Sequence, residues 1–135
     1  MEETIHHKIP LRLEDGSVIE ATLERKPQDK SCRILLEAEG IKETSTSTDY
    51  FASFADVRKN LAKKKVFPLC YGASRNVWPS AMARDMGQGL RAYKLELGKH
   101  SEEMVHIFDT GDDIDPVTPE EQKEFSYKWF HTPKE

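Results

Sequence analysis

The hydrophobic repeat of this chain changes at Asp49, and that change limits the folds open to it. Before that point apolar residues recur at every second position; after it they recur at three and four, so strands come first and a helix follows. In IHHKIPLRL the apolar positions are Ile5, Ile9, Leu11 and Leu13, the last three at the spacing of a half-buried strand. Pro10 removes a ladder donor, which puts this strand at an edge or turns its N–H side away from a neighbour. Asp15-Gly16 suits a type I′ hairpin turn with both residues at positive φ. Residues 17–25 then return as a second strand and Lys26 to Ser31 form a polar loop. CRILLEAE reads as a third strand with Ile34 and Leu36 on one face, and after a reversal at Gly40 the run IKETSTST reads as a fourth, more exposed one. The opening third is expected to be an antiparallel meander.

From Asp49 the residues Phe51, Phe54, Val57, Arg58 and Leu61 recur at i, i+3 and i+4, which predicts an amphipathic helix that turns Phe51, Phe54, Val57 and Leu61 to the sheet. Thr48 or Asp49 caps its start, and Lys63, Lys64 and Lys65 stand at its end, where cations suit the helix dipole. VFPLCYG is a short strand, SAMARDM a short helix closed by Gly87 and Gly89, and LRAYKLEL and MVHIFD two further strands. Thr118, Pro119 and Glu121 form a capping box for a last helix carrying Phe125 and Trp129. The expected fold is a single α+β domain over residues 1–135, an antiparallel sheet covered by two main helices.

The stretch from Cys70 to Lys94 needs a different explanation, since its small residues, separated glycines, tryptophan and arginines serve neither a repeating strand nor a solvent-facing helix. It holds Arg75, Arg84, Arg91 and Lys94 against Asp85 alone, a net of +3, so the rest of the chain carries −7 to reach the total of −4. Arg75 and Arg84, converging beside backbone amides at Gly72, Gly87 or Gly89, could bind a carboxylate or phosphate. Asn76, Asp85 and Tyr93 complete that candidate ligand site, an anion pocket within residues 72–91. The plainer reading pairs Arg84 with Asp85 or with the acidic segment that follows. That segment, Ser101 to Glu121, has eight carboxylates and no lysine or arginine. Asp109, Asp112, Asp113 and Asp115 are its candidate contacts to a basic protein partner, drawn in by charge.

Several functions are excluded or set aside. The acidic total argues against general nucleic-acid binding, which needs a cationic surface. No apolar run approaches the roughly 18 residues that would span a bilayer, and MEETIHHK lacks the features of an export signal, so a cytoplasmic protein is expected. His6 and His7 point to opposite faces of a strand, and no other histidine pair has ligand spacing, so neither a metal nor another cofactor is expected. DTGDDID lacks the ligand order of a calcium loop. Cys32 and Cys70 lie in apolar runs and read as reduced core residues; a thiol enzyme would need Cys70 to meet His106.

The central run, with the pattern C-x-G-x-x-R-x-x-x-P-S-x-M-x-R-D-M-G from Cys70 to Gly87 followed by AYK and VHIFD, resembles a set of small uncharacterised bacterial proteins. The resemblance spans roughly residues 49 to 130 and implies a shared bacterial domain; no activity comes with it. Ala81 stands where that pattern carries a glycine. Small size, acidity and this resemblance together give the expectation of a bacterial binding protein, an immunity protein that neutralises a toxin by direct binding. The alternative is a small-ligand or enzymatic domain built on the anion pocket.

Overall fold

The computed structural model describes residues 3–135. Strands β1 (Ile5–Arg12), β2 (Val18–Gln28), β3 (Ser31–Ala38) and β4 (Ile41–Ser47) form the expected antiparallel meander. A two-residue strand, β5 (Phe67–Pro68), returns later to pair with the end of β1, giving the order β4-β3-β2-β1-β5. Pro10 is therefore not on an edge strand. Its carbonyl accepts from Leu69 N at 2.8 Å, and a strand residue's N–H and C=O point to the same side. The donor that Pro10 lacks thus faces the side taken by the short β5 and leaves the β2 ladder intact.

Two turns differ from expectation. Only Gly16 takes a positive φ, 88°, at the first hairpin; Gly16 N closes on Leu13 O at 2.9 Å, a longer connection than a type I′ turn. Asp15 serves there through its carboxylate, which accepts from Ser17 N at 2.9 Å. The loop expected at residues 26–31 shrinks to Asp29 and Lys30, because Lys26, Pro27 and Gln28 continue β2 and pair with β3. Asp29 meets the tight turn by adopting a φ of 56°.

Helix α1 (Tyr50–Ala62) starts at Asp49, whose carboxylate accepts from Ala52 N at 2.7 Å. Phe51, Phe54, Val57 and Leu61 are buried as expected, against Ile9, Leu11, Leu23, Ile34 and Leu36 of the sheet. A second sheet has the order β6-β7-β8, from β6 (Val77–Trp78), β7 (Arg91–Lys94) and β8 (Met104–His106), shorter strands than the apolar runs suggested. Helix α2 (Ala81–Gly87) links β6 to β7, and α3 (Pro119–Phe130) closes the chain with the expected Thr118–Glu121 capping box.

Of the two helices expected on the sheet, α1 alone covers it; α3 packs on β6 and against α1. Its buried residues are Gln122 and Ser126, whereas Phe125 and Trp129 stay partly exposed. Gln122 turns inward because a buried cation waits for it: Arg58 of α1, only 2% exposed. Its guanidinium donates to Gln122 Oε1 at 2.7 Å, Gly72 O at 3.0 Å and Val117 O at 2.9 Å. One apolar core runs through both sheets, taking in Ala73, Val77, Ala92, Ile107 and Phe108 beside the meander residues. Among the described residues no helix is long and apolar enough to cross a membrane.

Candidate functional site

The central stretch leaves β5 through a single 3-10 turn at Tyr71–Ala73, crosses β6 and then projects α2 outward. Ser80 caps α2 by accepting from Ala83 N at 3.0 Å, and the helix ends in left-handed backbone at Gln88, φ 57°, and Gly89, φ 73°. A side chain at Gly89 would also bring its Cβ to 2.9 Å from Asp49 Oδ1, so glycine is required there twice over. This contact seats the end of α2 against the start of α1, where Tyr50 N donates to Gln88 O at 2.8 Å. No residue of α2 itself is buried.

The five residues expected to hold an anion are divided rather than gathered. Arg75 Nε donates to Asp115 Oδ2 at 2.8 Å and lines a hollow of about 240 Å³ with Glu121, Glu124 and Lys128. Arg84 lines a different hollow, of about 410 Å³, where its guanidinium lies over the rings of Phe51 and Trp78 at 5.0 and 5.4 Å. Its carboxylate partner is Asp49, at 3.5 Å, and not Asp85, which is exposed on α2. Asn76 is engaged within the stretch: its side chain accepts from the Ser74 hydroxyl at 3.1 Å and its backbone carbonyl from Leu95 N at 2.6 Å. Tyr93 stands opposite Trp78 in the β6–β7 ladder.

The acidic segment is strapped down across the central stretch. Asp113 accepts from Tyr71 Oη at 2.8 Å and from Lys94 Nζ at 2.7 Å, and Lys94 also pairs with Glu103 at 3.0 Å. The bond from Lys94 holds the Asp113 carboxyl below its ordinary range, and the same bond raises Lys94. Asp115 takes Arg75 by its side chain and receives Arg75 N at 2.9 Å on its carbonyl. Asp109 and Asp112 are exposed and carry no ion pair among the described residues.

Sequence spacing gave no sign that His7 and His106 meet, since residues from distant strands are juxtaposed only by the fold. Their ring centroids lie 5.5 Å apart, and His7 Nε2 accepts from Arg25 Nε at 2.9 Å. Burial, then Arg25, brings His7 down to about 4. Cys70 lies in the core, where burial pushes its thiol up to about 12, so it stays protonated at neutral pH and is a poor nucleophile.

Two further hollows are mainly apolar. Trp78, Pro79, Tyr93, Leu95, Trp129 and Phe130 line a hollow of about 220 Å³ between the second sheet and the end of α3. Trp129 is fixed in it by donating from Nε1 to Glu96 O at 3.0 Å and Lys99 O at 3.1 Å. Ser80 and Tyr93 also line an adjoining hollow of about 440 Å³, with Met82, Met86, Met104 and Arg91. Met82 and Met86 are 70% and 79% exposed. Their spacing of i and i+4 on a helix whose other positions are small or charged was the sequence signal for a displayed apolar face. No protein-family model matches this chain, and no curated protein matches it.

Proposed function

We propose that this chain is a binding protein that docks a partner protein on the face formed by α2, β7, β8 and the end of α3. The observation that carries the reading is that α2 has no fully buried residue and holds Met82 and Met86 in solvent beside an aromatic hollow. Large side chains exposed together mark interaction surfaces, and methionine repacks readily around an incoming shape. The fixed Trp129 and Tyr93 supply a rigid cleft for one anchoring side chain, the arrangement that concentrates binding energy at an interface. Within this reading the protein acts in the bacterial cytoplasm. Toxin neutralisation is its more specific form, in which a basic partner also meets Asp109 and Asp112. The small-ligand alternative has less support, because Arg75 and Arg84 line separate hollows.

The test is selection of peptides from a displayed random library on the native protein, followed by affinity measurements on Met82→Ser/Met86→Ser. Both positions are exposed, so the variant should melt as the native protein does. Selected peptides should lose most of their affinity for it. Equal affinity for both proteins would move the site elsewhere.

A further inference from the structure

We infer that the docked partner segment carries a carboxylate beside its apolar anchor, and that Arg91 receives that carboxylate. This rests on the docking reading and adds the chemistry of the partner to it. Four cations lie in the central stretch, and three are engaged inside the molecule. Arg75 pairs with Asp115, Arg84 with Asp49, and Lys94 with both Asp113 and Glu103. Arg91 is exposed and has neither an ion pair nor a side-chain hydrogen bond among the described residues. Among the described residues that line the two adjoining hollows it is also the one that carries a charge, in the methionine hollow.

Its placement is set by the ladder. Arg91 and Tyr93 are two apart on β7 and so point to the same side, opposite His106 and Met104 of β8. The guanidinium therefore stands at the border of the methionine hollow, while Tyr93 reaches both hollows. A partner that covered this surface with apolar groups alone would strip water from Arg91 and give nothing back, which is costly for a charge. A carboxylate would instead meet the planar fork of the guanidinium with two charge-assisted bonds, a geometry that lysine does not offer. The occupant that fits is a protein segment in which Asp or Glu neighbours a large apolar residue, the acid on Arg91 and the apolar side chain in the aromatic hollow.

The experiment uses peptides selected on the native 135-residue chain, with affinity measured by calorimetry against Arg91→Gln, Arg91→Glu and Met82→Ser/Met86→Ser. The selected peptides should carry an acidic residue and bind Arg91→Gln about tenfold or more weakly, the loss expected for one charged hydrogen-bonded contact. Changing that acid to lysine should abolish binding to the native protein and restore it on Arg91→Glu. If Arg91→Gln binds as tightly as native while the methionine variant does not, the carboxylate assignment fails and the docking face survives. If neither substitution alters affinity, both fail. The assignment to a foreign protein segment is also overturned by either of two results that Arg91→Glu removes: concentration-dependent dimerisation of the chain, or saturable binding of decanoate in place of peptide.

Discussion

Arg58 Nη1 and Gln122 Oε1 lie 2.7 Å apart in the core, and this one bond joins α1 to α3. Gln122 answers with its amide, whose Nε2 donates to Gly72 O at 3.0 Å, Ser74 O at 2.9 Å and Val77 O at 3.0 Å. The pair thereby fixes the backbone of the central stretch from Gly72 to β6. No carboxylate forms an ion pair with Arg58 among the described residues, and burial lowers its guanidinium to about 10 against a weaker opposing pull from Glu120. Gln122→Glu would give Arg58 a counter-charge yet offer only acceptors to three carbonyls. It should cost about 2 to 4 kcal/mol in denaturant unfolding, because buried groups would lose their partners. A neutral or stabilising result would show that the charge of Arg58, and not the amide, limits this core.

Phe54 is fully buried and meets Phe108 edge-on at 5.2 Å, so it links the meander side of the core to the end of the second sheet. Phe54→Ala should destabilise the protein by roughly 3 to 5 kcal/mol, from lost burial and the cavity left behind. A loss under about 1 kcal/mol would mean that the ring is not in the core.

Acid should weaken the fold through His7. In the native state its imidazole is held down to about 4 from an ordinary 6.5, by burial first and by Arg25 next. Arg25 and His106 oppose its protonation, as does His6 more weakly, while Asp109 favours it. The unfolded chain therefore binds a proton between pH 6.5 and 4 that the native chain refuses, so this stabilisation is complete above pH 6.5 and is lost as the pH falls to 4. The loss is on the order of 2 kcal/mol, less than full burial would give because solvent reaches the ring. Unfolding free energies measured from pH 7 to 4 should slope less in His7→Gln; an unchanged slope would assign the acid sensitivity to other groups.

The carboxylates of the strap should separate into two kinds. Asp113→Asn removes the anion that Lys94 and Tyr71 share, and hydrogen exchange at Tyr71 and Asp115 amides should quicken as the strap loosens. Asp112→Asn should leave exchange unchanged and alter only the rate at which a basic partner arrives, with a flatter salt dependence. Equal exchange in both variants would show that the backbone bonds, such as Tyr71 N to Asp109 O at 2.9 Å, hold the strap without Asp113.

The meander, the four apolar positions of α1 and the Thr118 capping box were legible because each depends on a short-range pattern. The burial of Arg58 and Gln122 was not: Arg58 shares the periodic positions of α1, yet periodicity alone leaves a charged or amide residue to solvent. Their burial depends on carbonyls brought from the central stretch and from Val117. The candidate site shows the same division. A cationic island was visible in composition, but ion pairing from other parts of the chain consumes three of its four charges. What remained open was the arginine that local sequence does not distinguish from its neighbours.

Because α2 links β6 to β7 with no fully buried residue, and only Arg84 among its seven residues ties it to α1, the others can change with little consequence for folding. The positions that anchor it, Ser80 at one end, Gly89 at the other and Arg84 on its inner side, are separate from the positions it displays. Selection acting on recognition can therefore rewrite Met82, Asp85 and Met86 while the supporting frame stays constant. The same separation makes this helix a place to graft a new binding sequence.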